Sequence, residues 1–161
     1  MADISDLKLA YRLFMRAYPY RRVDWGEGAV LTKPLAEARV AVVTTAALYT
    51  PGVQEPFEKE SRGGDCSYRI LLADVDLGGL AIGHRSDAFD RAGIESDKNL
   101  VLPLDRLRAL ARQGVIGEVA DRHFSFMGSI VAPGQLIHET GPEVAEMLVA
   151  DRVDAVLLTP V

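Results

Sequence analysis

The sequence predicts an α/β domain with a mostly parallel sheet and flanking helices, a flavodoxin-like or Rossmann-like three-layer sandwich. Three observations lead there. Residues 38–48 (ARVAVVTTAAL) form a β-branched, nearly unbroken apolar run, the composition of a strand covered on both faces. Residues 154–161 (DAVLLTPV) read as a second such strand. Between them, short apolar runs alternate with segments of helical spacing, which is the pattern of strands crossed over by helices.

The elements follow in order. Leu7, Ala10, Tyr11, Phe14, Ala17 and Tyr18 recur at helical spacing, so a helix starts near Ser5 and Pro19 stops it. Residues 20–34, with Arg21, Arg22 and Trp25, have no period and read as an arm. The strand 38–48 comes next, then a polar, Gly- and Pro-rich loop over 49–64. Short strands are expected at 68–72, 80–83 and 99–102. Pro103 opens a helix whose inner stripe is Leu104, Leu107, Leu110 and Ala111, and Gly114 ends it. A short strand is expected at 115–119. Thr140-Gly-Pro-Glu143 has the form of a capping box ahead of Val144, Met147 and Leu148. One domain is expected over 1–161, with the helix and arm at about 1–34 and the sheet domain at about 35–161.

Composition narrows the function. The net charge is −5, which argues against non-specific binding to nucleic acid or anionic lipid. One cysteine, Cys66, excludes an intramolecular disulfide, a CxxC pair and a cysteine-rich zinc site, and fits a reducing, cytoplasmic setting. No run approaches the ~20 apolar residues of a membrane span, and the start MADISDLKLAYRLF is not a secretory signal. The glycines form neither GxGxxG nor a Walker loop, and three widely spaced histidines give no metal signature.

Chemistry-bearing residues gather at expected strand ends. His84, in IGHRSD, is placed to hold an anion or move a proton. Asp87 and Asp90 follow within reach to orient it. His123 and Ser125, in RHFSFMG, line the same edge if that segment is a strand-end loop, and are packing residues if it is a half-buried strand. Thr44 and Thr45 end the first long strand, and Thr159 stands two residues before Val161. His138 reads as surface, and Cys66 as a small buried hydrophobe.

The segments KPLAEARVAVVTTAALYTPG, GDCSYRI, LAIGHRSDAFD, DKNLVLPLDRLRALARQGVIGEVADRHFSFMG and VDAVLLTPV resemble the selenoprotein B family of the glycine/sarcosine/betaine reductases and D-proline reductase, above all its proline-reductase-like branch. The likeness runs from about Tyr11 onward. It implies that the LLTPV strand leads directly into a selenocysteine, or a cysteine in some relatives. The expectation is therefore a family domain cut just before its nucleophile, with the C-terminal part missing and this chain alone inactive. The resemblance further implies a small amino acid or amine as substrate and a pyruvoyl group on a partner subunit, which captures the amine as an imine. A selenolate then attacks the neighbouring carbon, the C–N bond breaks, and a dithiol or thioredoxin-like donor reduces the selenium adduct. Homo-oligomerisation is open to such a subunit. Two other readings stand beside this one: a non-catalytic binding or scaffolding subunit, and a selenium-free enzyme using His84 and His123 for acid–base chemistry.

Overall fold

A computed structural model describes residues 9–17, 28–86 and 91–161. The chain divides into two compact units, Met1–Val30 and Leu31–Val161. The first contains helix α1 (Leu9–Ala17), within the helical pattern read from the sequence. Its expected bounds at Ser5 and Pro19, and most of the arm with Arg21, Arg22 and Trp25, lie outside the described residues, as do Asp87 and Asp90.

The second unit is built on β1 (Arg39–Thr44), whose six residues are buried or half-buried. On one side β1 pairs in parallel with β7 (Ala155–Thr159), from Val40 opposite Ala155 to Thr44 opposite Thr159. On the other side it pairs in parallel first with β5 (Glu118–Val119) and then with β6 (Arg122–Phe126). Between those two strands the register slips, so Ala120 and Asp121 form a bulge. The strand β3 (Tyr68–Leu72) runs antiparallel on the outer side of β6. A separate ribbon joins β2 (Leu48–Tyr49) to β4 (Ala81–Ile82).

Apolar side chains leave both faces of this sheet, and helices cover both. Val40 and Val42 pack with Ile94 of α2 (Arg91–Ser96) and with Leu104 and Leu107 of α3 (Leu104–Arg112). Phe124 and Phe126 pack with Val144 of α4 (Gly141–Ala150). The domain is thus mixed α/β with a largely parallel sheet. The antiparallel β3 and the detached β2–β4 ribbon depart from the mostly parallel, flavodoxin-like or Rossmann-like sandwich expected from the sequence.

Several local expectations are corrected. The run 38–48 is not one strand: it turns after Thr44, with Ala47 in the left-handed region at φ 53°, and restarts as β2. Residues 99–102 form no strand. The Asp97 carboxylate accepts from the backbone N–H and the side-chain amide of Asn99, and this local bonding supports a 3-10 turn over Lys98–Leu100. The strand expected at 115–119 shrinks to two residues. Thr140 does not cap α4: its own backbone is helical, and its hydroxyl donates to the Cys66 carbonyl at 2.7 Å. The last strand is not buried. Val156 is 39% and Leu158 67% exposed, because β7 is an edge whose only partner among the described residues is β1. The stop at Gly114 holds, with φ 71°.

Candidate functional site

The carboxyl ends of β1, β6 and β7 meet at one edge, the usual place for ligands in parallel sheets. Three threonines tie that edge together. Thr45 donates its backbone N–H to the Thr159 carbonyl at 3.2 Å, and its hydroxyl accepts the Val161 N–H at 2.9 Å. The Thr44 hydroxyl accepts the Ala46 N–H at 3.2 Å and lies 3.4 Å from the Thr159 carbonyl. The Thr159 hydroxyl donates to the Val101 carbonyl at 2.7 Å.

His84 reaches this edge from the loop after β4. It is buried, at 2% exposure. Its Nδ1 accepts the backbone N–H of Ser86 at 3.1 Å, which places the proton of the neutral ring on Nε2. Burial lowers the His84 pKa, and the charge of Arg91 lowers it further, so the neutral form is favoured. The Arg91 guanidinium donates to the His84 carbonyl.

Gly128, just past β6, is where these groups converge. A β-carbon built there would lie 2.5 Å from His84 Nε2, 3.0 Å from the Val161 carbonyl oxygen and 3.2 Å from the Thr45 carbonyl oxygen. His84 Nε2 and the Val161 oxygen are therefore within about 5.5 Å of each other, the sum of the first two distances. On the α4 side of the edge lies an apolar cavity of about 420 Å³, bounded by Thr45, Phe126, Val144, Leu148, Val156 and Leu158.

His123 and Ser125 have other work. The segment carrying them is the strand β6, buried at every residue after Arg122, not a strand-end loop. His123 is fully buried, and its Nδ1 accepts the Val42 N–H at 3.0 Å across the bulge, where the regular ladder is interrupted. Its Nε2 has no hydrogen-bond partner among the described residues. Burial, with a contribution from Arg108 and a small opposing one from Asp121, lowers its pKa to about 4. Such a ring stays neutral near pH 7 and holds backbone together. Ser125 accepts the Leu48 N–H at 2.7 Å and anchors the start of β2.

Of the residues singled out in the sequence, Thr44, Thr45, Thr159 and His84 thus come together, and His123 and Ser125 lie back within the sheet. His138 is exposed. Cys66 is buried, its thiol directed at the Ala132 carbonyl 3.8 Å away. Gly128 and Arg91 were not among them. A glycine directly after a strand is a signal of close backbone approach, whereas nothing local marks Arg91. Among the described residues no group of three or more His, Cys, Asp or Glu is placed to hold a metal ion, and no helix is long and apolar enough to cross a membrane.

Comparison with known proteins places this geometry in context. Residues 5–161 match the sequence model of the glycine/sarcosine/betaine reductase selenoprotein B family. The chain is 35% identical over 130 residues to the D-proline reductase subunit gamma of Acetoanaerobium sticklandii, covering 80% of this chain and 51% of that one. It is 30% identical over 157 residues to the sarcosine reductase complex component B subunit beta of Peptoclostridium acidaminophilum, covering 98% and 36%. It is also 30% identical over 155 residues to the glycine reductase complex component B subunit gamma of the same organism, covering 94% and 34%. The chain thus spans about half the length of the first relative and about a third of the others. No solved structure matches.

Proposed function

The chain belongs to the glycine/sarcosine/betaine reductase selenoprotein B family, and from that premise we propose that it supplies the working edge of an amino-acid reductase subunit. The reaction is reductive cleavage of a C–N bond in a small amino acid or amine. The C–N bond is replaced by C–H while a dithiol is oxidised to a disulfide. The nucleophile is a selenocysteine or cysteine on polypeptide that follows Val161. A partner subunit's pyruvoyl group would supply the carbonyl that takes up the substrate amine. A reducing, cytoplasmic setting goes with this reading, because the nucleophile must be kept reduced.

The observation that carries the proposal is the approach of His84 Nε2 to the Val161 carbonyl over Gly128. A residue directly after Val161 starts at the strand edge beside a neutral imidazole whose Nε2–H is a donor. That donor, with the positive charge of Arg91 close behind it, favours an anionic selenolate or thiolate over its protonated form. His84 thus stabilises negative charge and does not serve as the base that creates it. Thr45 and Thr159 fix the backbone on either side, so the anion is held in place. The apolar cavity beside the edge offers a surface for the non-polar part of a substrate or partner.

The test is reconstitution. The full-length protein, produced with its pyruvoyl-bearing partner, is given glycine, sarcosine, betaine or D-proline with dithiothreitol. Consumption of one substrate with matching disulfide formation is expected. No turnover of any of them, with the complex assembled, would return the chain to a binding or scaffolding role.

A further inference from the structure

We infer that Gly128 is a positioning residue, seating His84 as an Nε2–H donor against the carboxyl ends of β1 and β7. This rests on the reading of that edge as the working site. Three features of the geometry carry it.

The first is the space itself. The nearest atom to a β-carbon at residue 128 is His84 Nε2, at 2.5 Å, closer than real β-carbons come to any neighbour. The ring occupies the volume that a side chain at 128 would take. The second is the other end of the ring. Nδ1 is held by the Ser86 N–H at 3.1 Å, and the carbonyl of His84 is held by Arg91, so ring and backbone are both tethered. The imidazole has little room to swing aside in a buried site. The third is the floor. The Val161 and Thr45 carbonyl oxygens, at 3.0 and 3.2 Å from the same point, are backbone atoms just past the β1–β7 ladder, tied by the Thr45 N–H to the Thr159 carbonyl and by the Val161 N–H to the Thr45 hydroxyl. Even alanine at 128 therefore pushes first on the imidazole, the one side-chain group among the three. Displacing that ring loosens the Ser86 bond and with it the preference for the proton on Nε2.

Gly128 is not one of the described glycines with a positive φ, which are Gly52, Gly64 and Gly114. Its role is thus the absence of a side chain, not an unusual backbone conformation, and this separates it from Gly114.

The test reads the ring directly. In ¹⁵N-labelled chain, long-range proton–nitrogen spectra of His84 are expected to show a protonated Nε2 and a bare Nδ1. Gly128→Ala is expected to shift both resonances toward a mixture of tautomers. In a cycle with His84→Ala, the loss of denaturation midpoint caused by Gly128→Ala is expected to shrink by about half or more, because the first atom struck is gone. A wild-type ring with its proton on Nδ1, unchanged resonances in Gly128→Ala, or additive losses would each overturn the inference. If Gly128→Ala alone does not fold, its recovery in the His84→Ala background supports the inference, and failure in both backgrounds overturns it. None of these readings uses reductase activity. A reconstituted complex that turns over normally with His84→Ala would defeat the functional reading and leave the seating of the ring intact.

Discussion

His123 offers the most quantitative handle on the fold. Its Nδ1 is the acceptor for the Val42 N–H at a place where the sheet ladder is interrupted, and both residues are fully buried. His123→Leu removes the acceptor and leaves that N–H unpaired in the core, a cost of about 1–3 kcal/mol. His123→Asn puts Oδ1 where Nδ1 was, so the bond is kept and the loss is mainly packing, about 1 kcal/mol. The pH dependence provides a second, independent reading. The folded pKa is about 4, below the ordinary unfolded value of about 6.5. The neutral form is the one that folds, so this contribution is complete above the unfolded pKa and is lost as pH falls toward the folded one. Between pH 7 and pH 5 the loss is about 2 kcal/mol from this residue. In His123→Asn that part of the slope disappears, leaving a smaller one of the same sign from His84, whose pKa is also lowered. Urea denaturation at pH 7 and pH 5, with unchanged m values, measures both effects. Equal stabilities for the Leu and Asn variants, or an unaltered pH slope in the Asn variant, would refute the assignment of His123 to the backbone.

Two further outcomes follow from packing. Gly117 enters β5 so close to the chain at 37–38 that a β-carbon would lie 2.6 Å from the Glu37 carbonyl carbon and 2.9 Å from Ala38 N and O, all backbone; Gly117→Ala is expected to cost about 1–3 kcal/mol by thermal or urea denaturation, and a variant as stable as the parent would contradict the close approach. The exposed side chains of Val156 and Leu158 on the uncharged edge strand β7 should make the 161-residue chain self-associate as its concentration rises. Leu158→Lys should reverse this in sedimentation velocity, and a parent that sediments as a monomer at every concentration would refute it.

Much of the framework is legible because burial leaves a pattern. The β-branched run gives β1, the spacing of Leu104, Leu107, Leu110 and Ala111 gives the inner face of α3, and Gly114 marks its end. What depends on pairing is not legible. The register slip at Ala120 and Asp121 exists only because β5 and β6 share one side of β1. The turn after Thr44 uses an alanine with positive φ, a conformation that residue type does not announce. An edge strand and a central strand of the same apolar composition look alike in sequence, so the pairing of β7 with β1 alone among the described strands appears only in the fold. The same holds for the site. Thr44, Thr45 and Thr159 declare themselves by standing at strand ends. His84 and His123 look equivalent as histidines beside short apolar runs, yet one reaches the edge and the other replaces a ladder bond. Their difference is set by which backbone N–H each ring meets, Ser86 in one case and Val42 in the other.

The most direct test of the central claim is chemical. A single cysteine placed directly after Val161 can be titrated by its alkylation rate as pH is varied, with the buried Cys66 as a slow internal control. If the edge beside His84 is built to hold an anionic nucleophile, the new thiol titrates below the ordinary value of about 8.5 and moves back toward it in His84→Ala. A thiol that titrates at the ordinary value, indifferent to His84, would contradict the claim.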